Sequence, residues 1–288
     1  MFLEYIVKNN KYKNINQILK QEFRISARLL HKLIVNKHIT KNGNIVDTRD
    51  SVEYNDIIKV NLDFEEKSEN IVSTPIKLDI VFEDESFLIL NKPAGIAVHP
   101  SILHYKDTLS NGVKFYFESI GLQRKIRPVN RLDFDTSGLI LFAKNEYVQE
   151  CLIQQMASGT FQKEYIAIVS GNFTNKTGTI NLPIARKDNS IIERCISDNG
   201  QEAITDYTIL KQFDGYSVIN CSLKTGRTHQ IRVHMSAIGH PLLGDTLYGI
   251  ASPLINRQAL HSYKICFIHP ISNKLLEFYC DLPDDMKI

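Results

Sequence analysis

The stretch Pro128-Val129-Asn130-Arg131-Leu132-Asp133-Phe134-Asp135-Thr136-Ser137-Gly138-Leu139-Ile140-Leu141-Phe142-Ala143-Lys144-Asn145 joins a polar loop, with one arginine and two aspartates, to an apolar run. From Gly138 to Ala143 there is no polar alternation, the pattern of a strand covered on both faces. A covered strand holds the loop at its entrance rigidly, which suits a reactive carboxylate. Arg131-Leu132-Asp133 as an isolated tripeptide would be an ordinary solvated loop; the segments around it change that reading.

Downstream, Asn145 is placed to cap a helix running to Ser158, with Gly159 as its stop. Strands are predicted over 165–169, 203–210, 216–223, 260–267 and 275–279, and a helix over 229–238 ends at Gly239. Upstream, 80–82 and 87–90 read as strands about the turn 83–86. Strands outnumber helices, and there is no internal repeat or low-complexity tract. The fold class is α+β: a mixed, largely antiparallel sheet with flanking helices.

The first sixty residues have a different rhythm. Ile15, Ile18 and Leu19 space helically over 14–22, and Leu29, Leu30, Leu33 and Ile34 do so over 26–35. Ser26 can cap the second helix, leaving Arg28 and Lys32, four residues apart, on one polar face. Asn42-Gly43 between short apolar stretches is a hairpin signal, and 57–60 reads as a strand. Glu65-Glu66-Lys67-Ser68-Glu69-Asn70, ahead of Pro75, reads as a flexible linker that few packing contacts cross. The chain therefore divides into a small N-terminal α+β domain (1–62), a linker (63–75) and a larger domain (76–288).

With 288 residues, 43% hydrophobic and 23% charged, the composition is that of a globular protein with a substantial core. No apolar run approaches the roughly 18 to 20 residues of a membrane helix, and Met1 to Asn10 lack the basic-then-apolar order of a signal peptide. The cytoplasm is the expected location, and a monomer the expected state. Cys151, Cys195, Cys221, Cys266 and Cys280 include no Cys-x-x-Cys pair, so reduced thiols are expected in place of a disulfide or zinc framework. The net charge of +2 is uneven: residues 1–62 hold eleven Lys or Arg against six Asp or Glu, and 63–85 hold two against eight. A basic first segment fits nucleic acid or an acidic partner.

Four ordered segments carry a resemblance. The loop quoted above is similar to the His-Arg-Leu-Asp and Asp-Thr-Ser-Gly-Leu signature of pseudouridine synthases of the RluA type, with Asn130 where that signature usually has His. Asn91-Lys92-Pro93-Ala94-Gly95-Ile96-Ala97-Val98-His99-Pro100, Lys163-Glu164-Tyr165-Ile166-Ala167-Ile168-Val169 and Thr225-Gly226-Arg227-Thr228-His229-Gln230-Ile231-Arg232-Val233-His234-Met235 resemble the same family in the same order. Gly239-His240-Pro241 and Gly244-Asp245 extend the likeness over roughly residues 76 to 282. Ser26-Ala27-Arg28 and Lys41-Asn42-Gly43 resemble the S4 RNA-binding module, with Asn14-Ile15-Asn16 in place of its usual Arg-Leu-Asp opening.

The resemblance implies an isomerase that converts uridine to pseudouridine in structured RNA, with ribosomal large-subunit RNA preferred over transfer RNA by the S4-like module. It implies Asp133 as the catalytic aspartate, Arg232 as its cationic partner, Tyr165 as the tyrosine that stacks on the base, and Arg131 as the side chain that fills the place of the flipped nucleotide. A cation beside an enclosed carboxylate favours its charged form, and flipping a base costs a few kcal/mol that a replacement contact offsets. Arg227 lies in a loop suited to phosphate, Arg28 and Lys32 on their helix face are the RNA-binding candidates of the basic first domain, and His229 reads as a solvated loop charge. The isomerisation is redox-neutral and needs no cofactor or metal, and the chain has neither Gly-x-x-x-x-Gly-Lys-Ser/Thr nor Gly-x-Gly-x-x-Gly. Two rival readings stay open: a catalytically silent RNA-binding or ribosome-assembly protein, and a metal-dependent hydrolase using Asp133, His229 and His234.

Overall fold

Short apolar segments with strong local stop signals build the first unit of the computed structural model, which describes residues 1–66 and 68–287. It comprises β1 (Phe2–Ile6), α1 (Ile15–Gln21), α2 (Ala27–Val35), β2 (Ile39–Lys41), β3 (Asn44–Ile45) and β4 (Ile57–Asn61). Asn14 and Ser26 cap the helices by accepting from Gln17 N and Leu29 N, which satisfies amide groups a helix start leaves free. Asn42 (φ 53°) and Gly43 (φ 86°) are both left-handed, as the two-residue turn between β2 and β3 demands. The strands form a sheet in the order β1-β4-β2-β3.

The rest of the chain continues as β5 (Ile80–Glu83), β6 (Phe87–Lys92), α3 (Leu109–Ser119), β7 (Arg127–Pro128), β8 (Ser137–Ala143), α4 (Glu146–Ser158), β9 (Gln162–Ser170), β10 (Thr177–Asn181), β11 (Ile184–Arg186) and β12 (Arg194–Ile196). It ends with β13 (Ile204–Gln212), β14 (Tyr216–Leu223), α5 (Gln230–Ala237), β15 (Leu260–Ile268) and β16 (Leu275–Tyr279). The large sheet runs β10-β13-β14-β9-β15-β8-β6-β5, with β16 on β15 and β7 on β8. Every pairing in it is antiparallel except β8 with β15. The architecture is thus the mixed, largely antiparallel α+β class.

β8 is the strand the opening stretch calls for: all seven of its residues are buried. Its parallel neighbour comes close at Gly138, where φ is +105° and a Cβ would collide with the backbone of Ser262. Only glycine fits there. Behind β8, α4 is capped by Asn145, whose side chain accepts from Val148 N at 2.9 Å, and stopped by Gly159 at φ 76°.

Two expectations are corrected. The segment after β4 is not free: Glu66 N bonds to Gln123 O, Thr74 N bonds to Asn111 O, Lys114 Nζ reaches the carbonyls of Ser68 and Ile71, and Ile71 is buried. Its Lys67, like Ile288 at the end of the larger domain, lies outside the described residues. Nor is the first unit isolated, since one hydrophobic cluster holds Leu3, Leu29 and Ile58 together with Phe87, Val148 and Leu152. The acidic composition of 63–70 looked like a solvated tether because its partners, Arg124 and Arg127, lie about sixty residues away.

Candidate active site

Asp133 sits in the loop between β7 and β8, and backbone carbonyls of that loop are tied to buried cations. Lys92, fully buried at the end of β6, donates from Nζ to Pro93 O and Phe134 O, each at 2.8 Å. Arg257 donates to Asp135 O at 3.0 Å while its Nε and second terminal nitrogen rest on Asp285 at 2.7 and 2.9 Å. Asn130, in the position usually held by His, accepts from Leu141 N at 2.9 Å and donates to Leu139 O at 3.2 Å. It thereby fastens the loop to β8, so the substitution leaves the loop well supported. Burial pushes the Lys92 amine down to about 7, against the opposing charges of Asp135 and Asp133.

From the other side α5 presents Arg232. Its guanidinium is held by Asp245, Nε to Oδ2 at 2.7 Å and one terminal nitrogen to Oδ1 at 2.9 Å, and it lies 5.0 Å from the centre of the Tyr248 ring. The remaining terminal nitrogen donates to Asp133 Oδ2 at 3.1 Å. The fork-on-fork contact fixes the plane of the guanidinium, and the spare arm is what meets Asp133. Burial works against the charge of Arg232, yet its bonds to Asp245 and the nearby Asp245 and Asp133 charges outweigh this and raise its pKa above the ordinary value. Asp245 is 1% exposed and also accepts from Leu247 N. Gly244 beside it has φ +70°, and a Cβ there would strike the carbonyls of Arg257 and Ile255.

A cavity of about 60 Å³ brings together Asp133, Arg232, Tyr165, Arg131, Arg227 and His229. Tyr165, on β9, is buried; burial pushes its phenol well above the ordinary value, the Asp133 charge adds to the effect and the Ser262 hydroxyl opposes it. A neutral phenol beside a carboxylate can donate a hydrogen bond and offer a flat apolar face. Arg131 is exposed at the mouth, and Arg227 Nε bonds to Glu202 O at 2.9 Å. Asp133 itself is partly accessible, with a side chain 24% exposed.

His229 is not the solvated charge expected of it. Its backbone is left-handed (φ 58°) at the start of α5, its Nδ1 lies 2.8 Å from the Tyr248 hydroxyl, and its Nε2 is 3.9 Å from Asp133 Oδ2. Burial lowers its pKa, with Arg232 and Arg194 adding to the effect and Asp133 opposing it. His234 points elsewhere, its two ring nitrogens engaged by the Thr205 hydroxyl and Leu182 O at 2.9 Å each. Arg28 and Lys32 stand apart from the cavity. Both share the polar face expected of them and meet Glu146 of the larger domain, Arg28 at 3.4 Å, while Lys32 also lies 3.7 Å from Glu66. Sequence reasoning gave no role to Lys92, Asp245, Tyr248 or Arg257; the first two lay inside quoted motifs, while Tyr248 and Arg257 carried no local signal.

The sequence profile of the RNA pseudouridylate synthase family matches residues 86–237. The chain is 38% identical over 266 residues to the uncharacterized RNA pseudouridine synthase YjbO of Bacillus subtilis, covering 92% of this chain and 94% of that protein. It is 41% identical over 228 residues to ribosomal large subunit pseudouridine synthase D of Zymomonas mobilis, covering 74% and 72%. Among solved structures, human RNA pseudouridylate synthase domain containing 1 superposes with a TM-score of 0.61 at 27% identity, covering 73% of this chain and 86% of the human one.

Proposed function

The chain belongs to the RNA pseudouridylate synthase family and is an RNA pseudouridine synthase, and from that premise we propose that it isomerises uridines of large-subunit ribosomal RNA with Asp133 as the catalytic carboxylate. The observation that carries the site assignment is the 3.1 Å contact between Arg232 and Asp133 in a cavity shared with Tyr165. The names of relatives such as the Zymomonas mobilis synthase support the ribosomal substrate, and transfer RNA is the alternative.

In the reaction the bond from ribose C1′ to N1 breaks, the base turns, and C1′ joins C5; C5 loses a proton and N1 gains one. A carboxylate at C1′ either attacks it or takes a ribose proton while shielding positive charge. Asp133 supplies that group by either route, and Arg232 holds one of its oxygens at 3.1 Å. Tyr165 stacks on the base. Arg131 takes the place the flipped nucleotide vacates, and Arg227 contacts phosphate. Residues 1–62 act as an S4-like RNA-binding domain joined through 63–75 to a catalytic domain over 76–288. In the first domain Arg28, whose side chain is 76% exposed, is a phosphate contact, and Lys32 acts from the domain seam. Among the described residues no helix is long and apolar enough to cross a membrane, and we place the protein in the cytoplasm as a monomer.

The test is to map pseudouridine in transcribed large-subunit ribosomal RNA and in transfer RNA after incubation with wild-type and Asp133→Asn protein. Wild type should modify the ribosomal RNA and Asp133→Asn should not, while both bind it. Modification of transfer RNA alone would overturn the substrate, and an active Asp133→Asn protein would overturn the site.

A further inference from the structure

A groove of about 670 Å³ lies where the first domain meets the second, lined among others by Arg28 from α2 and by Lys125, Arg127 and Arg131 from the segment leading to Asp133. Arg131 and Leu132 line both this groove and the cavity at Asp133, so the two adjoin at these residues. The groove carries four cations against two carboxylates, Glu146, which is paired with cations, and Glu150, whose Oε2 is buried without a hydrogen-bond partner. Glu146 is buried among Lys32, Arg28 and Arg127, and Glu150 accepts the Ser26 hydroxyl at 2.7 Å. Among the described residues neither Lys125 nor Arg131 has a carboxylate partner, and both are exposed. With Lys125 and Arg131 free, the excess of cations makes a positive groove that begins on one domain and reaches the edge of the cavity at Asp133, the electrostatic form that tracks a nucleic-acid backbone.

Resting on the reading of the chain as an RNA pseudouridine synthase, we propose that this groove holds the RNA strand flanking the target uridine, with Lys125 a backbone contact, and that it exists only while the two domains are docked. The docking joins the shared apolar core to an ion cluster: Lys32 with Glu146 and Glu66, and Arg127 with Glu66 at 2.7 Å and Glu146 at 4.0 Å. Lys32 and Arg127 each meet two anions, Glu66 meets two cations and Glu146 three, counting Arg28 at 3.4 Å, which fixes the seam laterally where apolar packing alone would let it slide.

Isomerisation of transcribed large-subunit ribosomal RNA, followed against salt, tests both parts. Lys125→Ala should raise KM about fivefold to tenfold, the ordinary worth of one exposed phosphate contact, and reduce the logarithmic salt slope of binding by about 0.7 to 0.9. Lys125→Arg should restore both. Lys32→Glu should raise KM by separating the domains, and Lys32→Glu with Glu146→Lys should bring it back toward wild type; a poorly folded single variant leaves the swap to decide. A Lys125→Ala protein with wild-type KM and salt slope would overturn the groove, as it would if the channel served an acidic protein. A swap that fails to recover KM would overturn the dependence on docking. A wild-type enzyme inactive on this RNA would instead strike the substrate reading, and binding of the same RNA to the Lys125 variants would still judge the groove.

Discussion

The molecule holds two clusters of opposite charge, and they are built on different terms. At the domain seam Lys32, Arg127, Glu66 and Glu146 pair among themselves, with Arg28 added on Glu146, and both carboxylates are buried by their cations. At the active site Asp245 occupies two nitrogens of Arg232, and the third is spent on Asp133, a carboxylate that is itself part-exposed. A closed cluster can only hold surfaces together. An open one, in which a buried carboxylate aims a cation at an accessible carboxylate, leaves an oxygen free for chemistry and has already met its ordering cost before substrate arrives.

That contrast can be broken in graded steps. The largest effect expected is on Arg232→Met, which should lower kcat about 100-fold to 1000-fold while changing RNA affinity little, since the lost contact supports the carboxylate and not the backbone. Steady-state kinetics beside a binding assay would check it, and loss of affinity alone would move Arg232 out of the site. Asp245→Asn keeps the shape but weakens the hold on Arg232. It should cost about 3 kcal/mol of stability, because a buried cation loses its charged partner, and about tenfold in kcat.

Lys92 offers a test by pH. Its amine sits near 7 when folded and 10.5 when free, so between those values the unfolded chain holds a proton that the folded chain does not. Stability from this group is therefore level below about pH 7 and rises from there to about 10.5. Denaturant unfolding at pH 6.5 and pH 9 should show wild type gaining on Lys92→Met, and parallel curves would remove the lysine from this role. At the seam, Glu146→Gln leaves Glu66 to serve Lys32 and Arg127 and frees the exposed Arg28, and should lower Tm by only about 2 to 4 °C in calorimetry. Asp135→Asn should be the mildest, within about twofold in kcat/KM, because it is the Asp135 carbonyl that Arg257 holds.

Local signals made much of this legible. Asn145 and Gly159 bracket α4, Asn42-Gly43 sets its hairpin, and the unalternating run after Ser137 is the most enclosed strand of the sheet. α3 escaped notice because Asn111 and Gly112 interrupt its apolar stripe; Gly112 is there because a Cβ would press on Ile76. β11 and β12 are three residues each, too short for periodicity to register. In the site, Asp133, Tyr165 and Arg232 could be named from motifs, but their supports could not. Arg257 reaches Asp135 across 122 positions, and His229 was misjudged because a left-handed residue opening a helix leaves no mark in the hydrophobic pattern.

The single parallel pairing of β8 with β15 has a bearing on how the protein is made. Its paired residues, His261 with Ser137, lie more than 120 positions apart, and Arg232 follows Asp133 by 99. At about 5 to 20 residues per second, the ribosome polymerises Asp133 roughly 5 to 20 seconds before it polymerises Arg232. Through that interval β8 lacks its neighbour and the carboxylate its cation. A nascent chain can dock its first domain against the early strands, yet it cannot be an enzyme until nearly the whole polypeptide has emerged.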